Sequence, residues 1–216
     1  MTVRTVLFDV DGTLVDSNYL HVDAWKRAFA DLGVTVDAWR IHRAIGQDSA
    51  RLLRDVAGEH DDAWTERAKS LHSEHYRAST HRLRAFEGAA GLLRAIDARG
   101  IRVVLATSAP EDELVLLREA IDADDAIHAV TSADDVDEAK PDPGILEVAL
   151  RRADATASDA LMVGDSVWDM AAAARAGIRS LGVLCGGVGA GELLDAGARS
   201  VYDGPAGLLA ALDDLL

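Results

Sequence analysis

Short apolar runs alternate with longer stretches of helical periodicity along most of this chain. The apolar runs lie at 3–10, 102–106, 126–131, 160–163, 179–184 and 200–202. Near-continuous runs of this kind are typical of strands in a parallel sheet that is covered on both faces. Stretches with Ala and Leu at helical spacing follow at 89–99, 110–121, 143–153, 168–176 and 206–215. This alternation predicts an α/β fold, a doubly wound parallel sheet with flanking helices.

The segment 17–82 interrupts this alternation. Its apolar residues from Leu20 to Leu32 follow one helical stripe, and further helical patterns cover 38–45, 50–56 and 63–79. It holds six of the seven histidines and is neutral, whereas the whole chain has a net charge of -15. Such a compositional step predicts two units. We expect a core formed by residues 1–16 and 83–216, and an inserted α-helical cap formed by residues 17–82.

Composition excludes several classes of protein. At 49% hydrophobic and 27% charged residues, the chain is too apolar for disorder, and it contains no apolar run long enough for a membrane helix. Asp9 and Asp11 interrupt the first apolar stretch, which argues against a signal peptide. The negative charge argues against nucleic acid and anionic membranes as partners. The single cysteine, Cys185, cannot form an internal disulfide, and together with the other features it predicts a cytoplasmic protein. The oligomeric state stays open, with a slight preference for a monomer.

Polar residues follow the predicted strands at their carboxyl ends, where open α/β sheets bind ligands. They are, in chain order, Asp9 and Asp11, Thr107 and Ser108, and Asp165, with Asp169 in the next helical turn. Lys140 stands just before Pro141, in the loop that leads to the fourth strand. Several carboxylates in one crevice repel each other and therefore need a cation, and an all-oxygen site suits Mg²⁺. A carboxylate can also act as a covalent nucleophile, while a lysine and a hydroxyl can hold phosphoryl oxygens. The pattern predicts phosphoryl transfer.

These residues form four motifs that resemble those of the haloacid dehalogenase superfamily. The motifs are Asp9-Val10-Asp11-Gly12-Thr13, Thr107-Ser108, Lys140-Pro141, and Gly164-Asp165-Ser166 with Asp169. Their order and spacing match over nearly the whole chain, and the helical segment after the first motif resembles the small cap of that superfamily. The resemblance implies a Rossmann-like catalytic core and a Mg²⁺-dependent phosphomonoester hydrolase of the phosphoglycolate phosphatase and β-phosphoglucomutase group. Such an enzyme acts on a small phosphorylated metabolite through an aspartyl-phosphate intermediate.

The resemblance also implies catalytic roles. Asp9 is expected to attack the phosphorus, and Asp11 to protonate the leaving oxygen and later to activate water. Thr107 and Lys140 are expected to hold the transferring phosphoryl group. The dehalogenases proper lack a second acid equivalent to Asp11, so its presence favours phosphate chemistry over carbon–halogen cleavage. Ser108 is open to two interpretations, a phosphate contact or a cap for the next helix.

A Mg²⁺ site is implied by the same motifs. Its expected ligands are the Asp9 carboxylate, the backbone carbonyl of Asp11 and the Asp165 carboxylate. Asp169 lies one helical turn beyond Asp165 and is expected to orient either a metal-bound water or Lys140. Asp169 could also favour the helix N-terminus electrostatically.

The cap offers weaker candidates for substrate binding. His21 lies where related enzymes often place a polar group, although a helix histidine without a catalytic role is an equal alternative. Gly46-Gln47-Asp48-Ser49 resembles the cap loop that contacts substrate in this superfamily, so Gly46 and Gln47 are candidates.

Two other functions stay open beside the phosphatase. The first is a sugar-phosphate mutase, and similar mutases often carry an extra acid where this chain has Gly164. The second is a non-catalytic binding module on the same fold, because fold does not fix function.

Overall fold

The computed structural model describes residues 3–136 and 140–215. The chain divides into two compact units, one formed by the residues up to Asp16 together with those from Arg84 onward, the other by Ser17–Leu83. Among the described residues, no helix combines the length and apolar character needed to cross a membrane.

The larger unit is built on a six-stranded sheet in the order β3-β2-β1-β4-β5-β6. Every neighbouring pair of strands is parallel. The strands are β1 Thr5–Phe8, β2 Arg102–Ala106, β3 Ala129–Thr131, β4 Ala160–Gly164, β5 Arg179–Val183 and β6 Val201–Tyr202. The chain builds outward from β1 to β3 and then returns to β4 on the other side of β1. The switch point of the sheet, where such folds bind ligands, therefore lies between β1 and β4.

Most helices of the larger unit lie close to their predicted positions. The helices of the larger unit are numbered after the four helices of the smaller unit. They are α5 Ala89–Asp97, α6 Glu111–Ile121, α7 Gly144–Arg152, α8 Val167–Arg175, α9 Ala190–Asp195, α10 Pro205–Ala210 and α11 Leu212–Leu215. The predictions differ from the structure in two places: the single helix expected at 206–215 is interrupted at Ala211, and α9 was not predicted. The doubly wound α/β fold is confirmed. Its central strands are buried throughout, and Leu7, Val104 and Met162 are fully enclosed in one apolar cluster.

The smaller unit contains only helices among its regular elements. They are α1 Asn18–Asp31, α2 Ala38–Ala44, α3 Ser49–Ala57 and α4 Asp62–Ser79, followed by a 3₁₀ turn at Thr80–Arg82. Its core is one cluster of buried side chains that includes Trp25, Phe29 and Ile41. The absence of a strand pattern in 17–82 thus reflects a helical unit with a core of its own.

Candidate active site

Three carboxylates meet at the switch point of the sheet. Asp9 follows β1, Asp165 follows β4, and Asp169 lies in the first turn of α8. One oxygen from each lies within 4.8 Å of the others. Asp165 and Asp169 are 3% and 1% exposed, whereas the Asp9 side chain is 14% exposed. Asp9 is therefore the carboxylate of this cluster that a ligand can reach most easily.

Lys140 supplies a buried positive charge to the cluster. Its ammonium lies 2.5 Å from Oδ1 of Asp9 and 2.7 Å from Oδ1 of Asp169, and the side chain is 2% exposed. Burial alone would lower the pKa of Lys140, but the charges of Asp169 and Asp9 outweigh burial and raise this pKa above its usual value. Lys140 is thus held in its charged form beside Asp9.

Asp9 is in an unfavourable environment for a carboxylate. Burial raises its pKa well above the usual value, and this effect exceeds the lowering by Lys140. Repulsion from Asp169, Asp165 and Asp11 raises the pKa of Asp9 further. Three carboxylates share one ammonium here, so the cluster would be stabilised by additional positive charge.

Asp169 is held at both of its carboxylate oxygens. Its Oδ2 accepts hydrogen bonds from the backbone N–H and the hydroxyl of Ser166, at 3.1 and 2.6 Å, and Oδ1 faces Lys140. The Ser166 hydroxyl in turn accepts from the N–H of Asp169, which completes a capping box at the start of α8. The contacts therefore match two of the roles expected for Asp169, orientation of Lys140 and stabilisation of the helix N-terminus, while orientation of a metal-bound water stays a prediction.

Asp165 is oriented by Thr13, a residue to which sequence analysis assigned no role. The Thr13 hydroxyl donates to Oδ1 of Asp165 at 3.0 Å, and both residues are buried. The one sign of this role in the sequence is that Thr13 belongs to the first motif. The contact itself could not be predicted, because Asp165 lies 152 residues away.

Asp11 lies in the turn after β1. The carbonyl of Val10 accepts from the N–H groups of Thr13, Leu14 and Val15, which fixes this turn. The Asp11 carboxylate is outside the three-carboxylate cluster, although its charge contributes to the raised pKa of Asp9. Its roles as acid and, through its carbonyl, as metal ligand stay predictions.

Thr107 and Ser108 place two hydroxyls at the end of β2. Oγ1 of Thr107 accepts from the N–H of Ala109 at 3.0 Å, which leaves its own proton to be donated. Oγ of Ser108 is buried and has no hydrogen-bond partner among the described residues. The next helix, α6, has Pro110 at its N-cap position. Of the two interpretations of Ser108, the helix cap is therefore wrong, and a ligand contact would satisfy the hydroxyl.

The cap candidates lie in the smaller unit. Nδ1 of His21 lies 3.2 Å from Nε2 of His72, and its ring stacks on Tyr76 with 4.0 Å between centroids. Gly46 has a positive φ of 94°, and Oε1 of Gln47 is buried without a hydrogen-bond partner among the described residues. Their roles in substrate binding stay predictions.

The donor set of the cluster fits Mg²⁺. It consists of carboxylate oxygens, which are the ligands that this cation prefers. Cys185 is the nearby thiol, and burial together with the charge of Asp165 raises its pKa to about 12, so the thiol is protonated at neutral pH.

Fold and site together define an α/β protein with a lysine-paired, oxygen-only carboxylate centre at the switch point of its sheet. The chain belongs to the haloacid dehalogenase-like hydrolase family, whose model matches residues 6–183.

Relatives and solved structures agree with this membership. A phosphoglycolate phosphatase of Rhodospirillum rubrum is 32% identical over 93% of this chain and 87% of the relative. A phosphorylated carbohydrates phosphatase of Thermotoga maritima is 27% identical over 99% of this chain and 100% of the relative. The crystal structure of a hydrolase from Pseudomonas syringae has a TM-score of 0.94 and 36% identity, covering 100% of this chain and 99% of that one. The chain is therefore similar to hydrolases over nearly its full length.

Proposed function

We propose that this protein is a phosphatase that hydrolyses a small phosphorylated metabolite through an aspartyl-phosphate intermediate on Asp9. The observation that carries the proposal is the pairing of Asp9 with Lys140 at 2.5 Å. A partly exposed carboxylate beside a buried ammonium can attack a phosphoryl group while the ammonium stabilises the charge on its oxygens. Relatives that are phosphatases of phosphoglycolate and of phosphorylated carbohydrates support the small-metabolite class.

The proposed reaction uses Asp9 as nucleophile and Asp11 as acid and base. An oxygen of Asp9 bonds to phosphorus, the bond from phosphorus to the metabolite oxygen breaks, and Asp11 gives its proton to that oxygen. Asp11 then takes a proton from water, whose oxygen bonds to phosphorus and releases inorganic phosphate and free Asp9. Lys140 and Thr107 hold the other phosphoryl oxygens. The hydroxyl of Ser108, which no described residue of the chain satisfies, is a third donor.

Mg²⁺ would be held by the carboxylates of Asp9 and Asp165 and by the carbonyl of Asp11. When bound, it supplies positive charge that offsets the repulsion between these carboxylates and the phosphate. Thr13 orients Asp165 for this purpose, and Asp169 orients Lys140.

Residues 17–82 are proposed to act as the cap over this site, with His21, Gly46 and Gln47 as substrate contacts. A closing cap excludes bulk water during phosphoryl transfer. The cytoplasmic location and the monomeric state stay predictions from the sequence.

The mutase alternative is less favoured because of the close contact at Gly164. A Cβ atom at this position would lie 2.5 Å from both Cβ and Cγ of Asp169. An acidic side chain, which similar mutases often carry here, would displace Asp169 from Lys140. The site thus has no room for that mutase feature.

The proposal is tested with purified protein, Mg²⁺ and a panel of phosphoglycolate, sugar phosphates and nucleoside monophosphates. Released phosphate is measured by a colorimetric assay, and the sugar phosphates are followed by ³¹P NMR. We expect stoichiometric phosphate from at least one metabolite, and none with EDTA or with Asp9→Asn. Accumulation of an isomeric sugar phosphate faster than free phosphate would favour the mutase, and no turnover of any compound would favour the binding module.

A further inference from the structure

The turn that follows β5 lies against the proposed metal site, although none of its residues belongs to the four motifs. The N–H of Leu184 donates to the carbonyl of Tyr202, and the N–H of Gly187 donates back to the carbonyl of Leu184, both at 2.9 Å. Cys185 and Gly186 form the middle of this turn. Its backbone is therefore fixed independently of the residues that it contacts.

Gly186 packs directly against the Asp165 carboxylate. A Cβ atom at position 186 would lie 1.7 Å from Oδ2 and 2.3 Å from Cγ of Asp165. Gly186 is buried and is absent from the residues with positive φ, so its backbone conformation alone does not require glycine. Glycine is required here because the Asp165 carboxylate occupies the space that a side chain at position 186 would need.

Cys185 is linked to the same carboxylate indirectly, through the first motif. Its thiol donates to the carbonyl of Gly12, with 3.2 Å between Sγ and O. The next residue, Thr13, donates its hydroxyl to Oδ1 of Asp165 at 3.0 Å. The two turn residues thus support both oxygens of Asp165. Gly186 borders Oδ2 directly, and Cys185 holds the turn after β1 that carries the donor to Oδ1.

We propose that Cys185 and Gly186 are positioning residues that fix the orientation of the Asp165 carboxylate and thereby set the affinity of the site for Mg²⁺. This inference rests on the proposed function, in which Asp165 is a metal ligand. Residues that orient metal ligands contribute to affinity because the ligands then need no rearrangement on binding.

The test measures the thermal midpoint of the protein against Mg²⁺ concentration, a readout that requires no turnover. Gly186→Ala is compared with Gly191→Ala, an exposed position in α9 where a Cβ atom meets nothing within 4 Å. We expect Gly186→Ala to raise the Mg²⁺ concentration for half-maximal stabilisation by about 10-fold or more, and Gly191→Ala to leave it unchanged. The inference would be overturned if both variants needed the same Mg²⁺ concentration for half-maximal stabilisation.

A second pair of variants covers the case in which Gly186→Ala does not fold. Cys185→Ala removes the donor to Gly12, whereas Cys185→Ser keeps an O–H donor at the same place. We expect Cys185→Ala to weaken Mg²⁺ binding by roughly 3- to 10-fold, the effect of one lost hydrogen bond, and Cys185→Ser to restore most of it. Wild-type affinity in Cys185→Ala would overturn the role of Cys185.

The wild-type protein separates failure of this inference from failure of the proposed function. If the thermal midpoint of the wild-type protein does not respond to Mg²⁺ and no phosphate is released, both the proposed function and this inference are overturned. A wild-type protein that binds Mg²⁺ and releases phosphate, with variants of the same affinity, would overturn only the role of the turn.

Discussion

The ammonium of Lys140 lies between the carboxylates of Asp169 and Asp9, 2.7 Å from the first and 2.5 Å from the second. Asp169 is itself fixed by Ser166 at the start of α8. The position of the lysine relative to Asp9 is therefore determined by a helix N-terminus and not by the lysine side chain alone. A long flexible side chain becomes a defined contact to Asp9 in this way.

Lys140→Met should destabilise the protein strongly in metal-free buffer. The substitution leaves Asp9 and Asp169 buried without their counter-charge, and loss of one partner of a buried ion pair costs about 3–5 kcal/mol. The measurement is urea unfolding in the presence of EDTA. Lys69→Met is the matched control, because Lys69 pairs with Glu66 on the surface, and we expect about 1 kcal/mol or less there. Equal losses in the two variants would show that the buried pairing contributes nothing beyond a surface ion pair.

Asp9→Asn should abolish turnover without weakening the fold. Loss of a covalent nucleophile lowers the rate by a factor on the order of 10⁴ to 10⁶. Burial raises the pKa of Asp9 well above its usual value, so at neutral pH this carboxyl group disfavours the metal-free folded state relative to the unfolded one. Lys140 keeps Asp169 as its partner in this variant. The neutral amide removes that cost, and the metal-free midpoint of unfolding should therefore stay the same or rise. More than a few per cent of wild-type turnover would contradict the role of Asp9.

The stability of the protein should decrease as the pH falls below about 6.5, in part because of His72. Burial lowers the pKa of His72 well below its usual value, and the neighbouring His21 and His75 lower it further. His75 is itself paired with Asp31 at 2.7 Å. Between the ordinary pKa and the lower one of the folded state, only the unfolded chain binds a proton at His72, so acid favours unfolding in that interval.

His72→Gln tests this assignment by urea unfolding between pH 7.5 and 5. We expect the variant to lose less stability over this interval than the wild-type protein does. The control is His128→Gln, at an exposed position of the larger unit, which should leave the pH dependence as it is. If the slope with pH is the same in His72→Gln and in the wild-type protein, the acid sensitivity has another source.

The sequence predicts those parts of the site that follow from strand ends. Asp9, Thr107 and Asp165 each come directly after a buried strand, and the parallel sheet brings such positions to one edge. Local motifs therefore suffice to bring these residues together.

Contacts that join distant segments could not be predicted in this way. The thiol of Cys185 donates to Gly12 across 173 residues, and the close approach of Gly186 to Asp165 depends on the register of β4 with β5. No local pattern distinguishes these residues from any other loop after a strand. The interruption at Ala211 was likewise missed, since the Ala and Leu periodicity continues across it.

Gln47→Ala should change which metabolites the enzyme prefers. Oε1 of Gln47 is buried without a hydrogen-bond partner among the described residues, and such an atom is normally satisfied by a ligand or by water. If the loop at Gly46 and Gln47 contacts the non-reacting part of the substrate, removal of the amide costs about 1–3 kcal/mol in kcat/KM for substrates that it binds.

A small generic ester such as p-nitrophenyl phosphate has no such group and should react at the wild-type rate. The measurement is kcat/KM for several metabolites and for this ester, with Trp39→Phe as a control at an exposed position of the same unit. A uniform loss across all substrates would point to damaged folding or closure, and unchanged ratios would show that this loop does not select the substrate.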